Sequence, residues 1–386
     1  MTSREDFDFI IVGAGLAGSV MAERIANVLN KKVLIIEQRD HIGGNCYDYK
    51  SKEGIIIHKY GPHIFHTDFD EVFRYLSNFT EWSTYEHRVL AYVDGKKVPV
   101  PFNFTSMDML LSSDMSIRLK EKLISKFGEG SRVPIIRLLE DNDEDLKLLG
   151  DFIYKKIFLN YTLKQWGKKP EEIDQRVISR VPIVVGRDDR YFGDKYQAMP
   201  KEGYTIIFQR MLSNPNIKIM LNTNFKNILQ VDKVSKRIYF LSEEFKGKLI
   251  YTARLDELFD YAFGVLPYRS LNFEVLNLNK PYFQEVAVVN YPNEFDYTRI
   301  TEYKHLHPVE TQCTTIVYEY PEEYTVGKIP YYPMFTREAQ EKYSKYLELA
   351  SNFENLILLG RLAEYKYYDM DDVVKRALEV FEEVCG

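Results

Sequence analysis

An apolar strand running into G-x-G-x-x-G constrains this chain more than anything else in it. Phe9-Ile10-Ile11-Val12 leads to Gly13-Ala14-Gly15-Leu16-Ala17-Gly18, a helical pattern comes next, and a second apolar run, Val33-Leu34-Ile35-Ile36, ends on Glu37. Strand, helix, strand and acid in that order make a βαβ unit that holds a dinucleotide. Gly13 permits the tight turn, Gly15 lets the backbone approach a pyrophosphate, and Gly18 lets the helix pack close to the strand. The phosphates then meet the helix N-terminus at Leu16. Glu37 is expected to accept the ribose hydroxyls.

The fingerprint serves both NAD and FAD, and the residues after Glu37 separate them. Gln38 and Arg39 come next, then Ile42-Gly43-Gly44-Asn45. A second glycine pair lets another backbone segment approach a long, extended ligand, and Arg39 can bring charge to its pyrophosphate. FAD fits this better than NAD. Because no second G-x-G-x-x-G occurs, a separate NAD domain is not expected.

The 386 residues are enough for two or three structural units. A net charge of −6 implies no basic face for nucleic acid, so any nucleotide is held by local arginines. Three scattered cysteines, Cys46, Cys313 and Cys385, give neither a disulfide framework nor zinc-ligand spacing, which suits a reducing compartment. The polar stretch before Phe9 leaves no room for a signal peptide, and no apolar run approaches the ~18 residues of a membrane span. The expectation is a cytosolic protein without membrane insertion. Tyrosine (29) and phenylalanine (24) far outnumber tryptophan (2). The amphipathic tyrosine ring suits a flavin, base or sugar pocket as well as a core.

Val20, Met21, Ile25, Ala26 and Leu29 give the opening helix a core face. The run from Val89 to Val93, Asp94-Gly95 and the run from Val98 to Pro101 read as a hairpin with a D-G turn, whose proline-bearing second strand belongs at a sheet edge. From about 106 to 158 the pattern is helical and charged, as in an insertion. Between Lys218 and Tyr251 apolar and polar residues alternate as in a sheet. Leu356-Ile357-Leu358-Leu359 reads as a buried strand, with a helix face of Val373, Val374, Ala377, Leu378 and Phe381 after it. This return of the opening pattern implies a discontinuous nucleotide domain.

Four segments carry more Arg, Tyr, Trp and His than packing needs. Tyr60 to Thr67 sets His63 and His66 three apart around a Gly-Pro turn. With no H-E-x-x-H and no nearby carboxylate set, a place beside a flavin ring or substrate hydroxyl, or a plain structural pair, suits them better than a metal. Asn160 to Gly167 puts Tyr161 and Trp166 ahead of a polar link to Arg180-Val181-Pro182, which reads as a wall and a mobile lid over about 167–183. Arg187 to Gly193 reads as a solvated charged loop leading to Tyr196 and Tyr204. The fourth set combines Thr298-Arg299, Tyr331-Tyr332-Pro333 and Gly360-Arg361 through Asp371. Arginines fork onto phosphate and tyrosine hydroxyls donate to the same oxygens without adding charge, so a UDP-like diphosphate suits the set. Asp369 and Asp371 also read as N-cap and first-turn acids of the last helix. No Ser-His-Asp or Cys-His order and no separated glycosidase carboxylates stand out, which moves the chemistry onto the cofactor.

Gly13 to Gly18, Gly43-Gly44-Asn45, Tyr60 to Thr67, Tyr161 to Gly167, Arg180-Val181-Pro182, Tyr191-Phe192, Tyr196 to Thr205, Tyr331-Tyr332-Pro333 and Gly360 to Asp371 occur in that order. Together they resemble the bacterial UDP-galactopyranose mutases over nearly the whole chain. The resemblance implies an α/β fold with a discontinuous FAD-binding Rossmann-like domain (1–82, 200–248 and 333–386), a helical insertion (104–154) and an antiparallel-sheet substrate domain (83–103, 155–199 and 249–332). It also implies interconversion of UDP-galactopyranose and UDP-galactofuranose for cell-surface glycans. Non-covalent FAD works there in its reduced form: N5 attacks the anomeric carbon, UDP leaves, and the sugar opens as an iminium before reclosing.

Carried over by motif, Arg180 resembles the mobile arginine for the diphosphate and Arg299 its fixed partner. Tyr191, Tyr332 and Tyr367 resemble the phosphate tyrosines, Tyr161 a uracil-stacking ring and Trp166 the loop-side wall of the sugar pocket. His63 resembles the histidine beside the isoalloxazine. Arg361 and Asp369 resemble residues near the flavin and its substrate face, where Tyr367 and Met370 are also expected. A homodimer, reduced by NAD(P)H or a reduced flavin source, goes with the family. An amine-oxidase-like flavoenzyme on the same fold is the rival, and it would leave the Arg and Tyr set unexplained.

Overall fold

The opening strands are apolar at every position because the sheet buries both of their faces. In the computed structural model, which describes residues 6–168 and 182–385, Phe9–Val12 and Val33–Ile36 are buried throughout. Alternate side chains part company. Phe9, Ile11, Val33 and Ile35 join the core that includes the helix Leu16–Val28, while Ile10, Val12, Leu34 and Ile36 join a second core with Leu249 and Tyr251. Each such side chain, fully buried, contributes roughly 1.5–3 kcal/mol. Five parallel strands lie in the order Ile217–Met220, Val33–Ile36, Phe9–Val12, Lys248–Tyr251, Leu356–Leu358. The helix Leu16–Val28 packs on the C-terminal helix Met370–Cys385. This is the Rossmann-like α/β domain implied by the sequence, assembled from distant stretches.

A seven-stranded sheet runs Tyr332–Pro333, Tyr268–Leu278, Thr314–Glu323, Arg299–Glu302, Val288–Asn290, Val89–Val93, Lys96–Val100. It is antiparallel except where Val288–Asn290 runs parallel to Val89–Val93. The last hairpin turns at Asp94-Gly95 with φ of +49° and +79°, the left-handed pair a two-residue turn needs. Lys96–Val100, carrying Pro99, is the edge strand, as its prolines require. A three-stranded sheet of Phe65–Thr67, Tyr196–Pro200 and Trp82–Thr84 sets His66 opposite Gln197 and so brings the histidine segment beside the stretch around Phe192.

Several expected boundaries move. Lys248–Tyr251 pairs with Phe9–Val12 in the parallel sheet, so the nucleotide domain runs past residue 248; so short an apolar run does not say which sheet it joins. The 332/333 boundary falls inside the strand Tyr332–Pro333. The π-helical stretch Tyr154–Leu159 joins Glu144–Ile153 to Asn160–Trp166, so the helical unit does not end at residue 154 and instead carries Tyr161 and Trp166 on its last turns. Leu356–Leu358, expected to be buried, is an edge strand of intermediate exposure. Among the described residues, no helix is long and apolar enough to cross a membrane.

Candidate active site

The turn after the first strand leaves a groove defined by main chain. At Gly13, φ is +105° and a Cβ would lie 2.2 Å from Thr252 Oγ1; on Gly18 it would lie 2.0 Å from Gly13 O. Both glycines serve packing, and Gly18 sits beneath the groove rather than on it. Gly15 differs, since its Cβ would meet only Gly44 Cα, at 3.7 Å. The Gly43 N–H donates to Ala14 O at 2.8 Å, which knits the second glycine pair to the first. The resulting cleft, partly open to solvent, spans about 1180 Å³, and Gly13, Gly15, Leu16, Glu37, Gln38, Arg39, Gly44 and Asn45 all line it.

Glu37 accepts from the N–H groups of Ala14 and Arg39, both at 2.9 Å. These bonds aim its carboxylate and leave lone pairs over. Arg39 lies 4.2 Å above the Tyr60 ring, and its Nη2 donates to Asn45 Oδ1 at 2.9 Å. Its Nη1 is buried without a partner among the described residues. A backbone groove that a side chain would fill, a carboxylate with spare lone pairs and an unmatched guanidinium nitrogen suit the ribose and diphosphate of FAD, so the residues fit this cofactor. Cys46 lines the same cleft, and burial pushes its thiol up to about 12, so it offers no thiolate for covalent attachment. Thr223, Phe225, Thr252 and Glu257 form a wall that sequence reasoning missed, because they come from the segments that follow the strands Ile217–Met220 and Lys248–Tyr251 and carry no motif of their own.

A second cavity, of about 1040 Å³, adjoins the first, and Asn45, His63, Tyr331, Arg361, Asp369 and Met370 line both. Tyr161, Tyr191, Arg299, Tyr332 and Tyr367 line the second and not the first. Arg299 sits directly across the strand pair from Glu319. Its Nε donates to Glu319 Oε2 at 2.8 Å, its Nη2 forms an ion pair with the same oxygen at 2.7 Å, and the Glu319 side chain is only 2% exposed. That leaves Nη1 for the cavity. Burial works against the Arg299 charge, but Glu319 outweighs it, so the guanidinium pKa is raised. Glu319 was not singled out in the sequence, where an alternating strand hides its partner until the register is known.

Burial raises the phenols of Tyr161 and Tyr332, so both stay protonated and donate without adding charge. The rings of Tyr332 and Tyr367 lie 6.1 Å apart and nearly parallel at 4°. Arg361 lies over both, and its Nε donates to Tyr368 O at 3.1 Å, which holds it at the seam between the cavities. His63 Nδ1 lies 2.9 Å from Gly61 O. A carbonyl only accepts, so Nδ1 carries the proton. Burial, with Arg361 and Arg299 nearby, lowers this ring to about 4, so at neutral pH it presents an Nε2 lone pair. His66 is the reverse: burial alone would lower its pKa, but the Asp194 carboxylate 3.2 Å away outweighs this and raises it. Its ring stacks on Phe192 at 3.7 Å. His87, which no sequence motif marked, lines the same cavity, and burial lowers it to about 3.

Trp166 does not line this larger cavity. It packs on Met334, Tyr332 and Tyr367 and lines a smaller adjoining space of about 590 Å³ with Tyr161 and Tyr191, at the end of the helix Asn160–Trp166. Arg180 and most of the expected lid lie outside the described residues. Arg187 to Arg190 pair at the surface, Arg190 with Asp188 at 2.8 Å and Asp189 with Arg88 at 2.9 Å, as a solvated loop should. Among the described residues, no group of three His, Cys, Asp or Glu side chains is placed to hold a metal ion.

Asp371, 7% exposed beneath this site, titrates unusually. Burial, with Asp372 adding, pushes its carboxyl up to about 6 against a hydrogen bond from Thr67 and the His66 charge. A raised carboxyl works against the folded state once ionised. The penalty is absent below about pH 4, grows up to about pH 6 and is complete above that, at roughly 3 kcal/mol. Asp371→Asn should therefore raise Tm at pH 8 and leave it unchanged at pH 4; a Tm that does not rise at pH 8 refutes this assignment.

Residues 156–367 match the family GLF: UDP-galactopyranose mutase, and residues 11–79 match the NAD(P)-binding Rossmann-like domain. The UDP-galactopyranose mutase of Mycoplasma genitalium is 37% identical over 98% of this chain and 95% of its own. The dTDP-fucopyranose mutase of Escherichia coli is 35% identical over 96% of each. A crystal structure of reduced UDP-galactopyranose mutase shares the fold with a TM-score of 0.72, at 17% identity over 98% of this chain and 94% of that one. The chain thus belongs to the UDP-galactopyranose mutase family and is an FAD-dependent isomerase of that type.

Proposed function

We infer that the protein interconverts UDP-galactopyranose and UDP-galactofuranose, with FAD in the first cavity and the nucleotide sugar in the second. The observation that carries this reading is the shared wall. A cleft suited to FAD opens, at His63, Arg361, Asp369 and Met370, into a cavity where Arg299 and protonated tyrosines converge. A protonated amine substrate would be repelled there by the charges of Arg299 and Arg361, which suit a diphosphate instead.

When bound and reduced, the flavin supplies the nucleophile for the anomeric carbon of the sugar. The chain does the rest. Arg299, anchored by Glu319, turns its free Nη1 to the diphosphate and stabilises the charge that develops as the UDP oxygen departs. Tyr161 and Tyr332 are poised to donate to the nucleotide from phenols that burial keeps neutral. The His63 Nε2 lone pair can accept a proton shared with a sugar hydroxyl, and Arg361 holds the seam. Arg180 is read as the second diphosphate arginine. The family resemblance also carries a homodimer and a reductant such as NAD(P)H or a reduced flavin source. The scattered cysteines fit a cytosolic setting.

The two relatives differ in nucleotide and sugar, so the test uses both. The FAD-loaded protein, reduced with dithionite, is incubated with UDP-galactofuranose or dTDP-fucofuranose and the products are separated by chromatography. UDP-galactopyranose should form with at least about tenfold higher kcat/KM than the dTDP product. A preference for the dTDP sugar would overturn the substrate assignment, and no product from either would overturn the mutase reading.

A further inference from the structure

His58 and His307 are buried histidines that the reaction above does not use. His58 ends the strand Ile56–His58, and its side chain is 2% exposed. Its Nδ1 lies 3.0 Å from the main-chain nitrogen of His63, and its Nε2 lies 3.5 Å from Nε2 of His307. Tyr303 Oη donates to His58 O at 2.9 Å. The donors and acceptors along this path allow only one arrangement. The His63 N–H can only donate, so His58 Nδ1 is a lone pair and its proton sits on Nε2. That proton points at His307, which must accept on Nε2 and carry its own proton on Nδ1. Burial lowers both rings, His307 to about 4, so this neutral pair persists through the ordinary pH range.

The clamp acts on one short turn. Gly61, with φ of +94°, and Pro62 precede His63, and that turn is closed by the His63 Nδ1–H bond to Gly61 O. His63 is thus held by its own side chain in front and by His58 behind, and its ring borders both cavities. We propose that His58 is a positioning residue that fixes the His63 ring between cofactor and sugar, and that His307 selects the His58 tautomer able to do so. The inference rests on the mutase reading of the cavity.

Two substitutions separate positioning from packing. His58→Asn keeps an acceptor oxygen where Nδ1 stands, and His58→Phe keeps a ring but has no acceptor. His58→Phe should lower kcat by about 10- to 100-fold with KM little changed, since a misplacement near 1 Å costs that much. It should also shift the visible absorption band of bound FAD, and His58→Asn should restore both kcat and band. Equal behaviour of the two variants, or wild-type kcat and band in His58→Phe, would overturn the proposal. Where His58→Phe does not fold, His307→Leu carries the test. It leaves the His58 Nε2–H without an acceptor and should lower kcat at least about threefold and shift the band; wild-type values for both would overturn the proposal. If the wild-type protein itself turns over no nucleotide sugar, the mutase reading fails, and the flavin band alone still decides whether His58 positions the turn.

Discussion

Arg299→Lys is expected to lower kcat/KM for the nucleotide sugar by about 10- to 100-fold while FAD content and folding are kept. Lysine retains the charge that Glu319 requires, but a point charge cannot hold Glu319 through two nitrogens and offer a third to the diphosphate. Arg299→Ala should be worse in two ways. It removes the nitrogen proposed to meet the diphosphate, and it strands a Glu319 carboxylate that is 2% exposed. Losing one partner of a buried ion pair costs about 3–5 kcal/mol of stability, so Tm should fall as well. The lysine variant therefore isolates function from folding. Wild-type kinetics in Arg299→Lys would remove Arg299 from the substrate site.

Gly15→Val is expected to yield folded but colourless protein. A Cβ on Gly15 meets nothing within 4 Å but Gly44 Cα, so the apoprotein tolerates it, yet the added methyls stand in the groove assigned to the pyrophosphate. Gly13→Ala and Gly18→Ala are controls of the opposite kind, because their Cβ atoms would collide with Thr252 and with Gly13 O and the fold itself should suffer. Absorbance of bound flavin and a thermal melt read the two effects apart. Full flavin occupancy in Gly15→Val would displace the cofactor from this cleft.

What the sequence made legible was local chemistry. Glycine spacing and an acid after a strand are read within some thirty residues, and the structure places Gly15, Glu37, Arg39 and Gly44 on one cleft. The Asp94-Gly95 turn and its proline-bearing edge strand were legible for the same reason. What stayed hidden depends on register and on long-range packing. Glu319 faces Arg299 only because two strands align residue against residue, and His87 becomes a cavity residue only when its segment crosses beneath Phe192. The continuity of the helix through to Trp166 was hidden because a π-helical stretch, whose spacing looks like any amphipathic run, joins its two parts. The strand Lys248–Tyr251 is a run of three buried apolar residues after a lysine, too short for periodicity to tell which sheet it joins, so the domain boundary could not be read from the pattern.

The central claim is that the two adjoining cavities bring reduced FAD against the anomeric carbon of a nucleotide sugar. It is tested most directly by the rate of conversion of UDP-galactofuranose to UDP-galactopyranose by the FAD-loaded protein, measured once oxidised in air and once reduced by dithionite under argon. The account predicts turnover in the reduced sample and essentially none in the oxidised one, although the reaction has no net redox change. Equal rates in the two samples would contradict it.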